Sequence, residues 1–171
     1  MKNSIAQIAP HYTMKRQLDD YFSKFYNKMA ERSRILQADN YAKAKEIAGW
    51  KEIVAERWDA IEVVSSHKSD TLMQGLFETG KRYDVEYVID EKGLDDAIGV
   101  EMVVMGYDAD GNEKLLKVVP LELVKRDGNF YTFRGQVKNE FAGSFKVAYR
   151  MYPKNADLPH RQDFCYVKWF Y

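Results

Sequence analysis

At Ile61 the spacing of apolar residues changes from a repeat near 3.6 to a repeat of 2, and this change divides the chain into a helical part and a β part. From Thr13 to about Leu36 the apolar positions are Met14, Leu18, Tyr21, Phe22, Phe25 and Met29, which together form one face of a helix. Thr13 is the expected N-cap, since its hydroxyl can accept a hydrogen bond from an amide left unpaired in the first turn, and Pro10 closes off the segment before it. A second helix is signalled by the short polar residues Asp39 and Asn40, followed by Tyr41, Ile47, Trp50, Val54, Trp58 and Ile61 at helical spacing. Two antiparallel amphipathic helices joined by a short loop are the expected product. Their apolar stripes are too broad and too aromatic to be covered by each other alone, so either the β part or a larger lobe must cover them.

Beyond Ile61 the expected strands are Ile61 to Ser65, Tyr83 to Asp90, Ile98 to Tyr107, Leu115 to Val124, Phe130 to Val137, Ser144 to Tyr152 and Phe164 to Phe170. Ser66 to Gly80 reads as a connection or a partly helical excursion. The intervening pieces Glu91-Lys92-Gly93, Asp108 to Asn112, Arg126 to Asn129 and Asn139 to Gly143 supply Gly, Asn or Asp where positive φ is needed. Pro120 lacks a ladder donor, which demotes the Leu115 to Val124 stretch to an edge or a bulge. The spacing predicts a mainly β fold, an antiparallel immunoglobulin-like sandwich over residues 61–171 preceded by a helical segment over residues 1–60.

Composition narrows the function classes. Twenty-six basic and twenty-six acidic residues cancel, so no net field favours nucleic acid or an anionic membrane. No apolar run approaches the length that spans a bilayer, and Met1 to Pro10 has no apolar core of a secretory signal. The single cysteine, Cys165, points to a reducing compartment, and a cytoplasmic protein is expected.

The distribution of particular residues resembles the C-terminal region of the bacterial-type α-glucan (glycogen or maltodextrin) phosphorylases. Gly93-Leu94, Val100-Glu101, the turn Asp127-Gly128-Asn129-Phe130-Tyr131, Gly143 with Arg150 and Pro153, and the late Trp169 carry the likeness. Asn3 to Pro10, Thr13 to Arg16 and Asp20-Tyr21 are similar to the stretch that closes the catalytic lobe of those enzymes. The resemblance implies a full-length parent that transfers glucosyl units from α-1,4-glucan to phosphate, with pyridoxal phosphate as cofactor. It also implies that the cofactor lysine and the phosphate-holding residues lie upstream, so that no catalytic, cofactor-binding or metal-binding residue is carried onto this chain and the isolated chain is inactive. The catalytic lobe of the parent is then the expected partner.

Direct inspection of the residues agrees. No glycine falls in a phosphate-loop pattern, and His11, His67 and His160 lack the spacing that places two imidazoles on one helical face. Cys165 alternates with Val167 and Trp169 in the expected last strand, which predicts a buried structural thiol. For Trp169 the same alternation predicts a place in the core. Tyr149, Tyr152, Tyr166 and Trp169 are candidates for stacking on glucan, set against a core role suggested by the alternation of Phe145, Val147, Tyr149 and Met151. The alternative to a phosphorylase region is a free-standing sandwich module that binds glucan or a protein partner. Self-association through Tyr21, Phe25 and Trp58 is expected if the apolar stripe is left uncovered.

Overall fold

The computed structural model describes residues 2–68, 80–138, 140 and 145–170. They form two compact units, Met1–Trp50 and Lys51–Tyr171. Most of the expected connection from Ser66 to Gly80, the turn residues Asn139 and Phe141 to Gly143, and Ser144 lie outside the described residues.

The first unit is helical. A π-helical turn at Ser4–Ile8 and a 3-10 turn at Ala9–Tyr12, which contains Pro10, precede helix α1 at Met14–Tyr21. Thr13 caps α1 as expected, its hydroxyl accepting the Arg16 N–H at 3.2 Å. A second π-helical turn, Phe22–Tyr26, leads into α2, Asn27–Arg57, which runs on into the second unit. Within α2 the backbone breaks at Ala38 and takes left-handed φ values of 48°, 54° and 62° at Asp39, Asn40 and Tyr41. The break expected at Asp39-Asn40 is therefore present; the short polar side chains of Asp39 and Asn40 tolerate positive φ, whereas Tyr41 takes it without that help. Lys15 pairs with Asp19, Arg16 and Lys24 with Asp20, and Arg34 with Glu31, all three or four residues apart on the charged side of the helix. On the apolar side Met14, Tyr21, Phe22, Phe25, Tyr26 and Met29 are exposed, and the rings touch one another, Tyr21 to Phe25 at 5.9 Å and Phe22 to Tyr26 at 5.4 Å.

The second unit begins with the end of α2 and a 3-10 turn at Trp58–Ala60. Its strands are β1 Glu62–Lys68, β2 Arg82–Asp90, β3 Ile98–Tyr107, β4 Glu113–Pro120, β5 Glu122–Asp127, β6 Phe130–Lys138, β7 Lys146–Pro153 and β8 Lys168–Phe170. They make two four-stranded antiparallel sheets, ordered β1-β2-β6-β5 and β4-β3-β7-β8. The first order is the ABED sheet of an immunoglobulin domain, and β3-β7-β8 is its CFG sheet with one extra edge strand. Alternate residues face inward, so that Tyr83, Val85, Tyr87 and Ile89 of β2 and Tyr131 and Phe133 of β6 meet Val100, Met102, Tyr149 and Met151 in the core.

Two expectations are corrected by pairing. The stretch expected as one strand over Leu115 to Val124 is two strands in different sheets, divided at Leu121. Pro120 ends β4 opposite Glu101, and the chain then crosses sheets while the Leu121 N–H reaches Val100 O at 2.8 Å. Leu121 is buried against Gly135, where an added Cβ would lie 3.0 Å from its Cγ. The last strand is likewise shorter than Phe164 to Phe170, because residues 161–163 form a 3-10 turn and pairing with β7 covers only Lys168–Phe170. His160 Nδ1 accepts the Gln162 N–H at 3.1 Å and the Asp163 carboxylate accepts the His160 N–H at 3.2 Å, which fixes that turn.

Register decides which late aromatic enters the core. Phe170 pairs with Tyr149 and its ring lies 5.0 Å from Tyr87, whereas Trp169 pairs with Arg150 on the opposite face and is 50% exposed. Trp169 is therefore not a core residue. Cys165 is exposed and outside any strand, its thiol donating to Gln162 O at 2.7 Å, so the buried thiol expected from alternation is corrected as well. Trp58 is only 3% exposed and packs 5.7 Å from the Tyr166 ring, unlike the exposed Tyr21 and Phe25. Among the described residues no helix is long and apolar enough to cross a membrane.

Candidate functional site

Strand β3 is apolar on both faces except at Glu101, a carboxylate only 2% exposed. Burying a carboxylate costs several kcal/mol unless its charge is paired and hydrogen-bonded, so partners are required here. Cross-strand pairing supplies the first, Arg150 of β7, which lies directly opposite Glu101. Arg150 donates from Nε to Glu101 Oε1 at 2.6 Å, and its Nη2 lies 2.5 Å from the same oxygen as an ion pair. The chain after β7 returns over this face and brings Arg161, whose Nη1 donates to the same oxygen at 2.9 Å. Two guanidinium groups thus meet on one oxygen of one carboxylate, and the Glu101 carboxylate in turn holds the Arg161 pKa above its ordinary value.

Aromatic rings hold both arginines in place. The Arg161 guanidinium lies 4.1 Å from the centre of the Tyr152 ring, and Arg150 lies 5.3 Å from that of Trp169. The Tyr152 ring itself lies over Gly99, its register partner on β3, where an added Cβ would come 2.5 Å from the ring. Glycine at 99 is what lets the ring lie against the backbone and present its other face to Arg161. Burial raises the pKa of the Tyr152 hydroxyl.

Between this cluster and the returning segment is a cleft of about 320 Å³, its wall including Arg150, Tyr152, His160, Arg161, Phe164 and Tyr166. Phe164 and Tyr166 contact each other at 4.8 Å between ring centres, and Lys51 braces the segment from behind by donating to Asp163 O at 3.0 Å. Lys168 ties the following strand down through Asp59 O at 2.9 Å and Ile61 O at 2.8 Å. A second cleft of about 340 Å³ lies on the other side of Tyr152, beside the crossover at Pro120 and Leu121.

The four sequence-derived candidates do not form one row. Tyr149 is in the core between Tyr87 and Phe170, where burial pushes its hydroxyl up to about 12. Tyr152 and Tyr166 line the cleft, and Trp169 lies outside it beneath Arg150. Of the three partially exposed aromatics, Tyr152 and Trp169 lie against arginines and Tyr166 against Phe164 and Trp58, so they are not stacked as a platform. Sequence reasoning noted Glu101 and Arg150 only as points of resemblance and passed over Arg161 and Phe164. The available signal was Glu101 itself, a charge inside the apolar run from Ile98 to Met105.

A second polar cluster is found within the sandwich. The Tyr87 hydroxyl is buried with no partner among the described residues, and Lys68 Nζ lies 5.4 Å from the Tyr149 ring centre and 5.7 Å from that of Tyr87. Burial lowers the Lys68 pKa and raises that of Tyr87. Among the described residues no three His, Cys, Asp or Glu side chains are grouped closely enough to hold a metal ion.

Comparison with known proteins supplies what this geometry leaves open. Residues 58–171 match the family described as the glycogen phosphorylase C-terminal domain. The chain is also 30% identical to the maltodextrin phosphorylase of Thermococcus litoralis over 175 aligned residues, which cover 99% of this chain and 20% of that protein. It therefore spans about a fifth of the length of the curated relative it matches. No solved structure matches.

Proposed function

The chain belongs to the glycogen phosphorylase C-terminal domain family, and on that premise we propose that it is the non-catalytic C-terminal region of an α-glucan phosphorylase. The full-length parent transfers glucosyl units from α-1,4-glucan to phosphate, in the cytoplasm, with pyridoxal phosphate as cofactor. The observation that carries this reading is the asymmetry of the alignment, 99% of this chain against 20% of the relative. The exposed stripe of Tyr21, Phe22, Phe25 and Met29 supports a structural role, in which the helical unit packs on the catalytic lobe and stabilises it. Free of that lobe, the stripe is a surface for self-association.

The parent's cofactor is proposed to be held outside this chain. Burial lowers the Lys68 pKa, and the rings of Tyr87 and Tyr149 against it offer a cofactor phosphate no cation. No step is derived through that group. The purified chain, mixed with glycogen, phosphate and pyridoxal phosphate, is expected to release no glucose 1-phosphate. Release at a rate proportional to chain concentration would overturn the proposal.

A second reading, a module that binds neutral glucan through Tyr152, Tyr166 and Trp169, is favoured by the exposure of Trp169 and Tyr166. Retention on a maltooligosaccharide resin that is lost in Trp169→Ala would support it.

A further inference from the structure

We propose that Lys68 is a modification site, a nucleophilic amine that takes a small acyl group from an activated donor, either an acyl phosphate or an acyl thioester. The site is made by Lys68 with Tyr87 and Tyr149 and stands apart from any activity of a longer parent.

The partners of the lysines carry the argument. Among the described residues the other partly buried lysines, Lys43, Lys51, Lys92, Lys117 and Lys168, each pair with a carboxylate or donate to a carbonyl oxygen. Lys68 is the exception. Its described contacts are two aromatic rings, with Nζ 5.4 Å from the centre of Tyr149 and 5.7 Å from that of Tyr87. A ring face attracts a cation out to about 6 Å, so both rings hold this ammonium near the limit of the interaction. An oxygen at hydrogen-bond distance offsets the hydration lost on burial, and a ring at that range does not.

The balance therefore falls against the charged form. Burial is the one cause that lowers the Lys68 pKa. The titratable groups facing it from β2 and β7 are the two tyrosines, whose hydroxyls burial pushes up, so neither supplies a charge at neutral pH. A larger share of Lys68 than of an exposed lysine is then neutral amine, and the neutral amine is the nucleophile.

Access and product agree with this chemistry. Lys68 ends β1, an edge of the sheet β1-β2-β6-β5, so a donor approaches from the flank opposite β2. The amine lone pair forms a C–N bond to the acyl carbon, and the bond from that carbon to the phosphate oxygen or thiol sulfur breaks. The leaving group departs with the electron pair and takes up the amine proton. A neutral amide remains, which removes the partly buried charge and sets an apolar acyl group near the rings.

The test incubates the folded 171-residue chain with acetyl phosphate and, separately, with acetyl-coenzyme A over about pH 7 to 10, and reads the initial acetylation rate of each lysine by peptide mass spectrometry. Exposed Lys28, Lys45 and Lys114 are the references. Near neutral pH Lys68 is expected to react about threefold or more faster than the references in at least one arm, with a rate that levels off at lower pH than theirs. Both differences should vanish in urea. The arm that shows the selectivity identifies the donor. Three results would overturn the proposal: an advantage below about threefold in both arms, a selectivity that survives in urea, or a pH profile that matches the references.

Discussion

Replacing Glu101 by alanine removes the acceptor shared by two arginines, and the structure sets the size of the effect. Breaking a fully buried ion pair costs about 3–5 kcal/mol, because the surviving charge is stranded away from water. Here the acid is buried but Arg150 and Arg161 are partly open, and water can reach the guanidinium groups once the carboxylate is gone. That solvation reduces the expected loss to about 2–3 kcal/mol. At roughly 4 °C per kcal/mol for a β unit of this size, the melting temperature should fall by about 8–12 °C. Glu101→Gln should cost about half as much, since both observed hydrogen bonds fall on one oxygen that an amide can retain, while the charge is lost. Circular dichroism melts of the purified chain, with Arg161→Gln and the double variant completing a thermodynamic cycle, would measure both values. A fall of less than about 2 °C for Glu101→Ala, or strict additivity in the cycle, would refute the view that this carboxylate organises the face of β3.

Register yields a paired prediction at β8. Phe170→Ala should cost roughly 3 kcal/mol because its ring lies against Tyr87 and Tyr149, while Trp169→Ala should cost about 1 kcal/mol, the value of a half-exposed ring and its cation contact; the reverse order in urea melts would mean the pairing of β7 with β8 is shifted. Glu91, buried with Oε2 lacking a partner among the described residues, has its pKa raised by burial despite backbone hydrogen bonds that oppose the shift. The folded state then holds a proton that the unfolded state releases first, so its contribution to stability falls as pH rises from the unfolded pKa near 4.5 through the raised folded value. Glu91→Gln should therefore raise the melting temperature at neutral pH, with the gain vanishing at pH values below the unfolded pKa. A gain that grows towards acid pH would contradict the sign.

Elements governed by local chemistry were the readable ones. The Thr13 cap, the break at Asp39-Asn40 and β3 over Ile98–Tyr107 appear where side-chain type and spacing placed them. The hairpin between β5 and β6 turns through Gly128 at φ +59°, as its Asp-Gly-Asn composition suggests. Elements governed by a distant partner were not readable. The division of one apparent strand at Leu121 depends on the space above Gly135, and the outward position of Trp169 depends on Arg150 being its partner in β7. In the candidate site Glu101 was visible as a charge in an apolar run, and a partner for it was predictable in kind. Arg161 was not, because a turn sixty residues away brings it there, and no local pattern marks that return.

Packing of this region on the remainder of an α-glucan phosphorylase is tested most directly by expressing the upstream part of the same reading frame and this chain as two polypeptides. The expected result is co-elution as one complex that releases glucose 1-phosphate from glycogen, with both association and activity lost when Tyr21 and Phe25 are changed to aspartate on the exposed stripe. An upstream part that is fully active alone and does not retain this chain, or a reading frame that encodes no such part, would contradict it.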